Sequence, residues 1–519
     1  MRKLFFTLFL TATLIYAQMA LCVDYAFHGD LNHRFLMLTN HFDWFQGDHN
    51  GILQEGNFED SYAEVKYRLW TEIESSDKNI KGVFAIEMGG LAFGDKSKGG
   101  SYSGDGKNNI ETRWAYTDFQ IPNISNKVRL RIGLQPYNLS KWLWNETVMG
   151  VQYSEEFKGL DYHLAWLRPI NSFNLTKEDK NINDIDFFAA RYNISPIKGL
   201  KTGIFGLYGR RGDQGDDIFD LQKYKSDPNN FPDYKDVNFR IYDSNKAITS
   251  QNYMIKRLPA EFKMSIYNVG FDGSFSQSIP SLGKIFINWD AIYQFGKIKE
   301  VQYIDFLANR GKTKIYNKDD PNNPEEKYVS DAYGDFDLNA YFAHIDIGFD
   351  MDMFKITNTF WYTSGDSDPF DNNFDGFMSI DMHRSDSIIL FEGSVADEKT
   401  FTGRQYLLDK GFMMIKSAVD IKVTDKIKVG GALMMMSTAE EISYNDPDPD
   451  SDEIYSESFI GYEFDAYAKY QLYSNLEFAL NFGYLMCGDA MDVFEEDKIQ
   501  DGKSDEDIFT IASRFRYKF

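Results

Sequence analysis

Basic side chains recur at every second position in several stretches of this chain: Lys66 and Arg68, Arg129 and Arg131, Arg514 and Arg516, with Arg34 and Arg113 in comparable settings. Successive side chains of an extended strand point to opposite faces, so each such pair projects to one side and can build a charged wall. Carboxylates in the same kind of setting are Glu111, Asp290, Asp420, Glu463 and Asp465. Rows of opposite charge facing each other across water set up a transverse field, which orients dipolar solutes and penalises apolar ones. The chemistry expected of these residues is therefore selection during passage. The plainer alternative is that they solvate a wet surface and pair with one another. None of the seven histidines, His163, His344 and His383 among them, has a serine, cysteine or metal-ligand spacing around it. No catalytic constellation follows from them, and the chain is not read as an enzyme.

One further cluster has the residue types for a ligand. Asp446, Asp448, Asp450 and Asp452 place carboxylates at alternate positions of a polar segment, a spacing that can wrap a hard cation such as Ca²⁺. The segment lacks the glycine turn and distal bidentate Glu of an EF-hand loop, so a solvated acidic loop is the stronger expectation. No other cofactor is implied.

Elements with two different faces must position these residues. Aromatic residues make up 16% of the chain and charged residues 26%, a combination that fits strands facing lipid on one side and water on the other. The net charge of −24 argues against nucleic acid as a partner, because phosphate contacts need clustered Lys and Arg. Period-two alternation runs from residue 25 to the last residue. In 127–137, Val128, Leu130, Ile132 and Leu134 oppose Arg129, Arg131 and Gln135; 62–73 and 284–296 repeat the pattern.

The same pattern predicts strands near 25–37, 81–93, 110–121, 147–157, 160–170, 185–194, 200–211, 262–275, 336–349, 354–364, 411–423, 426–439, 458–471, 475–487 and 508–519. The total is about 18, or 16 if the two weakest, 147–157 and 185–194, fail. Connections alternate between tight turns and long polar segments such as 38–60, 212–261, 297–335 and 365–410. That layout predicts an all-β, transmembrane up-and-down antiparallel barrel over residues 23–519, with both termini at the tight-turn, periplasmic end. A soluble sandwich or propeller would also alternate, but a barrel of this size has too wide an interior to hide its apolar face there.

Residues 1–22 read as an export signal: Arg2 and Lys3, an apolar run from Leu4 to Ala17, and cleavage expected after Cys22. The run falls short of the ~20 residues that span a bilayer, which disfavours an uncleaved anchor. With Cys22 removed, only Cys487 remains and no intrachain disulfide can form.

The terminal FRYKF, residues 515–519, resembles the C-terminal signature of outer-membrane barrels, which implies Phe519 as an assembly signal. FWYTSGDSDPFDNNFDG at 360–376, GYEFDAYAKYQLYSNLEFALNFGYLMCGDA at 461–490 and RWAYTDFQIPNISNKVRLRIGLQ at 113–135 resemble the homotrimeric outer-membrane porins of sulfate-reducing bacteria and, more distantly, alginate-export-type barrels. The resemblance implies a homotrimer in outer-membrane lipid that passes small hydrophilic solutes.

The sequence thus predicts a diffusion channel. A solute-specific or anionic-polysaccharide export channel on the same barrel, and a surface structural or adhesion protein, are the alternatives. The third long-side connection, 138–147, looks too short to fold inward, so the constriction is expected from 212–261, 297–335 or 365–410. Trp114, Tyr116, Tyr137, Trp166, Tyr208, Tyr484, Tyr517 and Phe519 are expected as outward interfacial aromatics.

Overall fold

The computed structural model describes residues 23–39, 59–94, 110–124, 128–157, 159–170, 185–211, 263–302, 333–367, 373–380, 386–389, 410–445, 454–490 and 507–519. The first strands are β1 (Val23–Thr39), β2 (Glu59–Ser75), β3 (Ile80–Ala92), β4 (Ile110–Gln120), β5 (Val128–Ser140) and β6 (Trp144–Phe157). They are followed by β7 (Leu160–Ile170), β8 (Ile185–Ile197), β9 (Leu200–Arg211), β10 (Lys263–Ile279), β11 (Gly283–Gln302), β12 (Tyr333–Met351) and β13 (Phe354–Thr363). The chain ends with β14 (Asn373–Phe374), β15 (Phe412–Lys422), β16 (Ile427–Asn445), β17 (Ile454–Tyr473), β18 (Leu476–Cys487) and β19 (Ile508–Lys518).

β14 is a two-residue ribbon lying parallel to β12, with Asp337 opposite Asn373. β13 pairs directly with β15, so the wall holds 18 strands, each antiparallel to its neighbours. All the predicted strands are present, including the two weakest. β1 closes the sheet against β19 in a register that sets Asp30 against Lys518 and Arg34 against Arg514. Closure leaves no unpaired sheet edge, which a lipid environment would not tolerate.

The barrel is inside-out relative to a soluble domain. Leu433 is 63% exposed and Ile415 57%, and Phe84, Met149, Ile204, Val269 and Phe464 likewise lie bare on the outer face. Each such side chain left in water would forgo roughly 1.5–3 kcal/mol of burial, so this surface is suited only to an apolar medium. A ladder of rings, Phe188, Tyr208, Tyr267 and Phe295, crosses four adjacent strands at centroid spacings of 6.3, 4.8 and 5.2 Å.

The seam between the first and last strands is closed by the final residue. Phe519 exchanges backbone hydrogen bonds with Gly29, at 3.0 and 3.1 Å, and its ring covers that glycine beside Phe27. A Cβ at position 29 would collide with the ring, so here glycine and terminal phenylalanine fit each other, as aromatic residues do when they shield a bare strand glycine. The tight turns are capped locally. In the β2–β3 turn, the Ser75 hydroxyl and the Asn79 amide donate to Asp77 and hold its carboxyl below the usual carboxylate range.

Candidate channel and constriction

The lumen face of β1–β5 and of the closing strands β18 and β19 is lined by ion pairs arranged in layers. Arg34 meets Glu64 at 2.6 Å, and Lys66 meets Glu87 at 3.3 Å, with Arg68 on the same carboxylate. Arg113 reaches Glu146 at 2.6 Å and Glu87 at 3.8 Å. Arg129 and Arg131 share Asp118 at 2.5 and 3.0 Å. Arg514 pairs with Glu477 at 3.0 Å, and Arg516 donates to Asp30 through Nε at 2.8 Å. Glu111 stands opposite Glu87 in the β3–β4 register, exposed near the long-connection end.

Each arginine and lysine expected on a basic wall therefore has a carboxylate beside it, and the wall alternates in sign. Arg34–Glu64 is buried, whereas the pairs of Arg68, Arg113, Arg129 and Arg131 are partly open to water and contribute at most about 1 kcal/mol each. What they do is place donors and acceptors side by side along the pore. The acidic residues Asp290, Asp420, Glu463 and Asp465 lie on β11, β15 and β17, outside the β1–β5 arc of arginines. Asp290 and Asp346 hold the two nitrogens of His344 at 2.9 and 3.2 Å, and Tyr467 donates to Asp420.

Three of the expected outward aromatics point inward instead. Tyr137 shares the inward row of Arg129, Arg131 and Gln135, and its ring packs on Trp144 and His163. Trp114 and Tyr116 turn inward because β4 carries a bulge: Ala85 opposes Trp114 while Ile86 opposes Thr112, so Arg113 is an extra residue. Below the bulge the facing of the whole strand is reversed. Trp166, Tyr208, Tyr484, Tyr517 and Phe519 face outward as expected.

The half of the lumen nearest the long connections is packed with apolar side chains. Two segments fold into it. The short link between β5 and β6 sends Trp142 across the lumen, where its ring lies 4.6 Å from Phe342, 4.6 Å from His344 and 4.7 Å from Trp361 on β12 and β13. Arg191, itself paired with Asp272 at 2.7 Å, donates to the Leu139 carbonyl at the base of this link. The expectation that this connection is too short to reach inward is thus corrected: a single indole covers the distance that backbone length does not.

The second segment is the chain between β13 and β15. Gln294 clasps the Met378 backbone from both sides, at 3.1 and 2.9 Å, and Ile380 N donates to the Leu143 carbonyl at 2.8 Å, joining the two segments. Glu463, only 1% exposed, accepts from the Ser387 hydroxyl at 2.6 Å and from the Ile388 and Ile389 amides at 3.0 Å each. Asp465 accepts from Ile388 N at 3.1 Å. Phe374, Phe377, Met378, Ile380 and Ile389 are buried against the wall. Of the three connections expected to constrict the barrel, 365–410 is the one whose described residues do so. All of 212–261, and residues 303–332 of the connection at 297–335, lie outside the described residues. The acidic run Asp446–Asp452 lies outside the described residues.

The site and its scaffold define a class, a closed transmembrane β-barrel whose lumen is lined by ion pairs and narrowed by infolded segments. No protein-family description matches the sequence, and no curated protein matches it. Among solved structures it is similar to OccK9 (OpdG) of Pseudomonas aeruginosa, with 10% identity over 96% of this chain and 98% of that one and a TM-score of 0.49. It is also similar to the outer membrane protein opdK of the same organism, at 9% identity, 95% and 98% coverage and a TM-score of 0.48. For OprD of Pseudomonas aeruginosa the values are 10%, 96%, 95% and 0.46.

Proposed function

We propose that this protein is an outer-membrane porin, a channel for passive diffusion of small hydrophilic solutes. The observation that carries the reading is the opposition of two surfaces: an outer face dominated by apolar and aromatic side chains, and a lumen lined by paired charges. On this reading the tight turns and both termini face the periplasm, residues 1–22 are removed on export, and Phe519 serves as the assembly signal. The motif resemblance to porins of sulfate-reducing bacteria is the reason to expect a trimer.

The narrowing by Trp142 and by residues 374–380 and 387–389 favours a solute-selective channel over a wide general one. The alternating sign of the wall speaks against the anionic-polysaccharide alternative, which needs a dominantly basic lumen.

Liposome swelling tests the proposal. Vesicles carrying the refolded full chain are expected to swell in iso-osmotic glycine and glucose and to resist in raffinose. No swelling in any of these, with the barrel folded by its heat-dependent shift in gel mobility, rejects the porin reading.

A further inference from the structure

The bulge at Arg113 creates a feature that a regular strand would lack. Trp114 now lies in the same inward row as Trp70 and His28, in direct register through Ala85: His28 opposes Trp70, Trp70 opposes Ala85, and Ala85 opposes Trp114. The small, buried Ala85 leaves room above it for the two indoles to meet, at 5.7 Å and 70°. His28 stacks with Trp70 at 5.1 Å. Trp114 is fixed in place by its Nε1, which donates to the Thr147 hydroxyl at 3.2 Å. Tyr116 continues the band toward the turns, under the Arg131 guanidinium. All four ring systems are only partly buried, so the lumen reaches them.

This aromatic band lies between two layers of ion pairs. Toward the long connections stand Lys66, Arg68 and Arg113 with Glu87 and Glu146; toward the turns stand Lys81 with Glu72, and Arg129 and Arg131 with Asp118. A ligand matched to such a wall has a flat C–H face for the rings and an edge of groups that both donate and accept. Aromatic faces carry negative potential and attract C–H edges, whereas each neighbouring ion pair presents donor nitrogens next to acceptor oxygens, the pattern a vicinal diol satisfies. A flat anion would meet a carboxylate wherever it met a guanidinium.

We propose that the β1–β4 wall holds a pyranose-stacking subsite, with Trp70 and Trp114 as its platform and the Glu87 and Asp118 ion-pair layers as its hydroxyl contacts. The subsite deepens the channel reading and depends on it for a route of entry.

The test is saturation-transfer NMR on the full chain in detergent micelles, with maltotriose as the probe and benzoate as a flat anionic comparator. Transfer to the ring C–H protons of maltotriose is expected. Trp70→Ala and Trp114→Ala should each weaken it about tenfold, while Trp70→Phe and Trp114→Phe stay within about threefold, since phenyl keeps a stacking face. Heat-dependent gel mobility verifies that each variant is folded, and the Phe variants carry the test should the Ala variants fail to fold. No maltotriose transfer to the parent protein, equal transfer in all variants, or a preference for benzoate overturns the subsite. Maltotriose binding without solute flux through liposomes would keep the subsite and reject the channel reading; flux without binding would do the reverse.

Discussion

Trp142→Ala is expected to raise single-channel conductance roughly twofold or more, because it removes the apolar side chain that spans the lumen at its narrow level. The indole is wholly buried against Phe342, His344 and Trp361, three residues of the opposite wall. Truncating a buried tryptophan typically costs about 3–5 kcal/mol of local packing. Here the loss falls on the infolded segments, since the wall strands are held by their own ladders of hydrogen bonds. Ile380, bonded to the Leu143 carbonyl, would lose its fixed neighbour, so the second segment should loosen as well. Trp142→Phe keeps a ring in the same box and should retain most of the parent conductance. An unchanged conductance in Trp142→Ala would place the indole outside the conducting path.

The second large effect is expected from the pair Glu463→Gln and Asp465→Asn made together. Glu463 gathers three donors of 387–389 on one buried carboxyl group. Each contributes about 0.5–1.5 kcal/mol, so the three together anchor the segment to β17 by a few kcal/mol. A glutamine in this place keeps one acceptor oxygen but turns an NH₂ group toward backbone N–H groups that have nothing to offer it. The expected result is a flickering current with openings to a larger level, and new protease sensitivity near Ser387 in the folded barrel. Asp465→Asn alone, which leaves the three donors of 387–389 on Glu463, should have a much smaller effect. A quiet current and full protease resistance in the double variant would show that the apolar contacts of Phe377, Met378, Ile380 and Ile389 hold the segment unaided.

Much of the scaffold was legible in the chain because a membrane barrel obeys a strict period-two rule, and a strand obeying it needs no tertiary information to be found. Arg129, Arg131 and Gln135 lie inward, and Leu130 and Ile132 outward, for that reason alone. The rule also explains the errors. WAY at 114–116 alternates equally well in either facing, so nothing in the sequence marks the bulge that turns Trp114 and Tyr116 inward. Pairing was illegible for a similar reason: Glu87 and Asp118 each serve arginines from other strands, and that requires the register between strands. The infolded segments left a signal that loop length concealed. Trp142, Leu143 and Trp144 crowd one short connection, and Phe377, Met378 and Ile380 form an apolar run within a long polar one. Apolar residues in a connection need cover, and in a barrel that cover is the lumen wall.

The central claim, that this barrel is a water-filled channel narrowed by its own infolded segments, is tested most directly by recording the full-length protein in planar bilayers over a series of KCl concentrations. Discrete steps that scale with bulk conductivity are predicted, because ions moving through continuous water carry a current proportional to their concentration. Folded, membrane-inserted barrels that give no steps at any salt concentration would contradict the claim, and would identify the apolar packing around Trp142 as a seal.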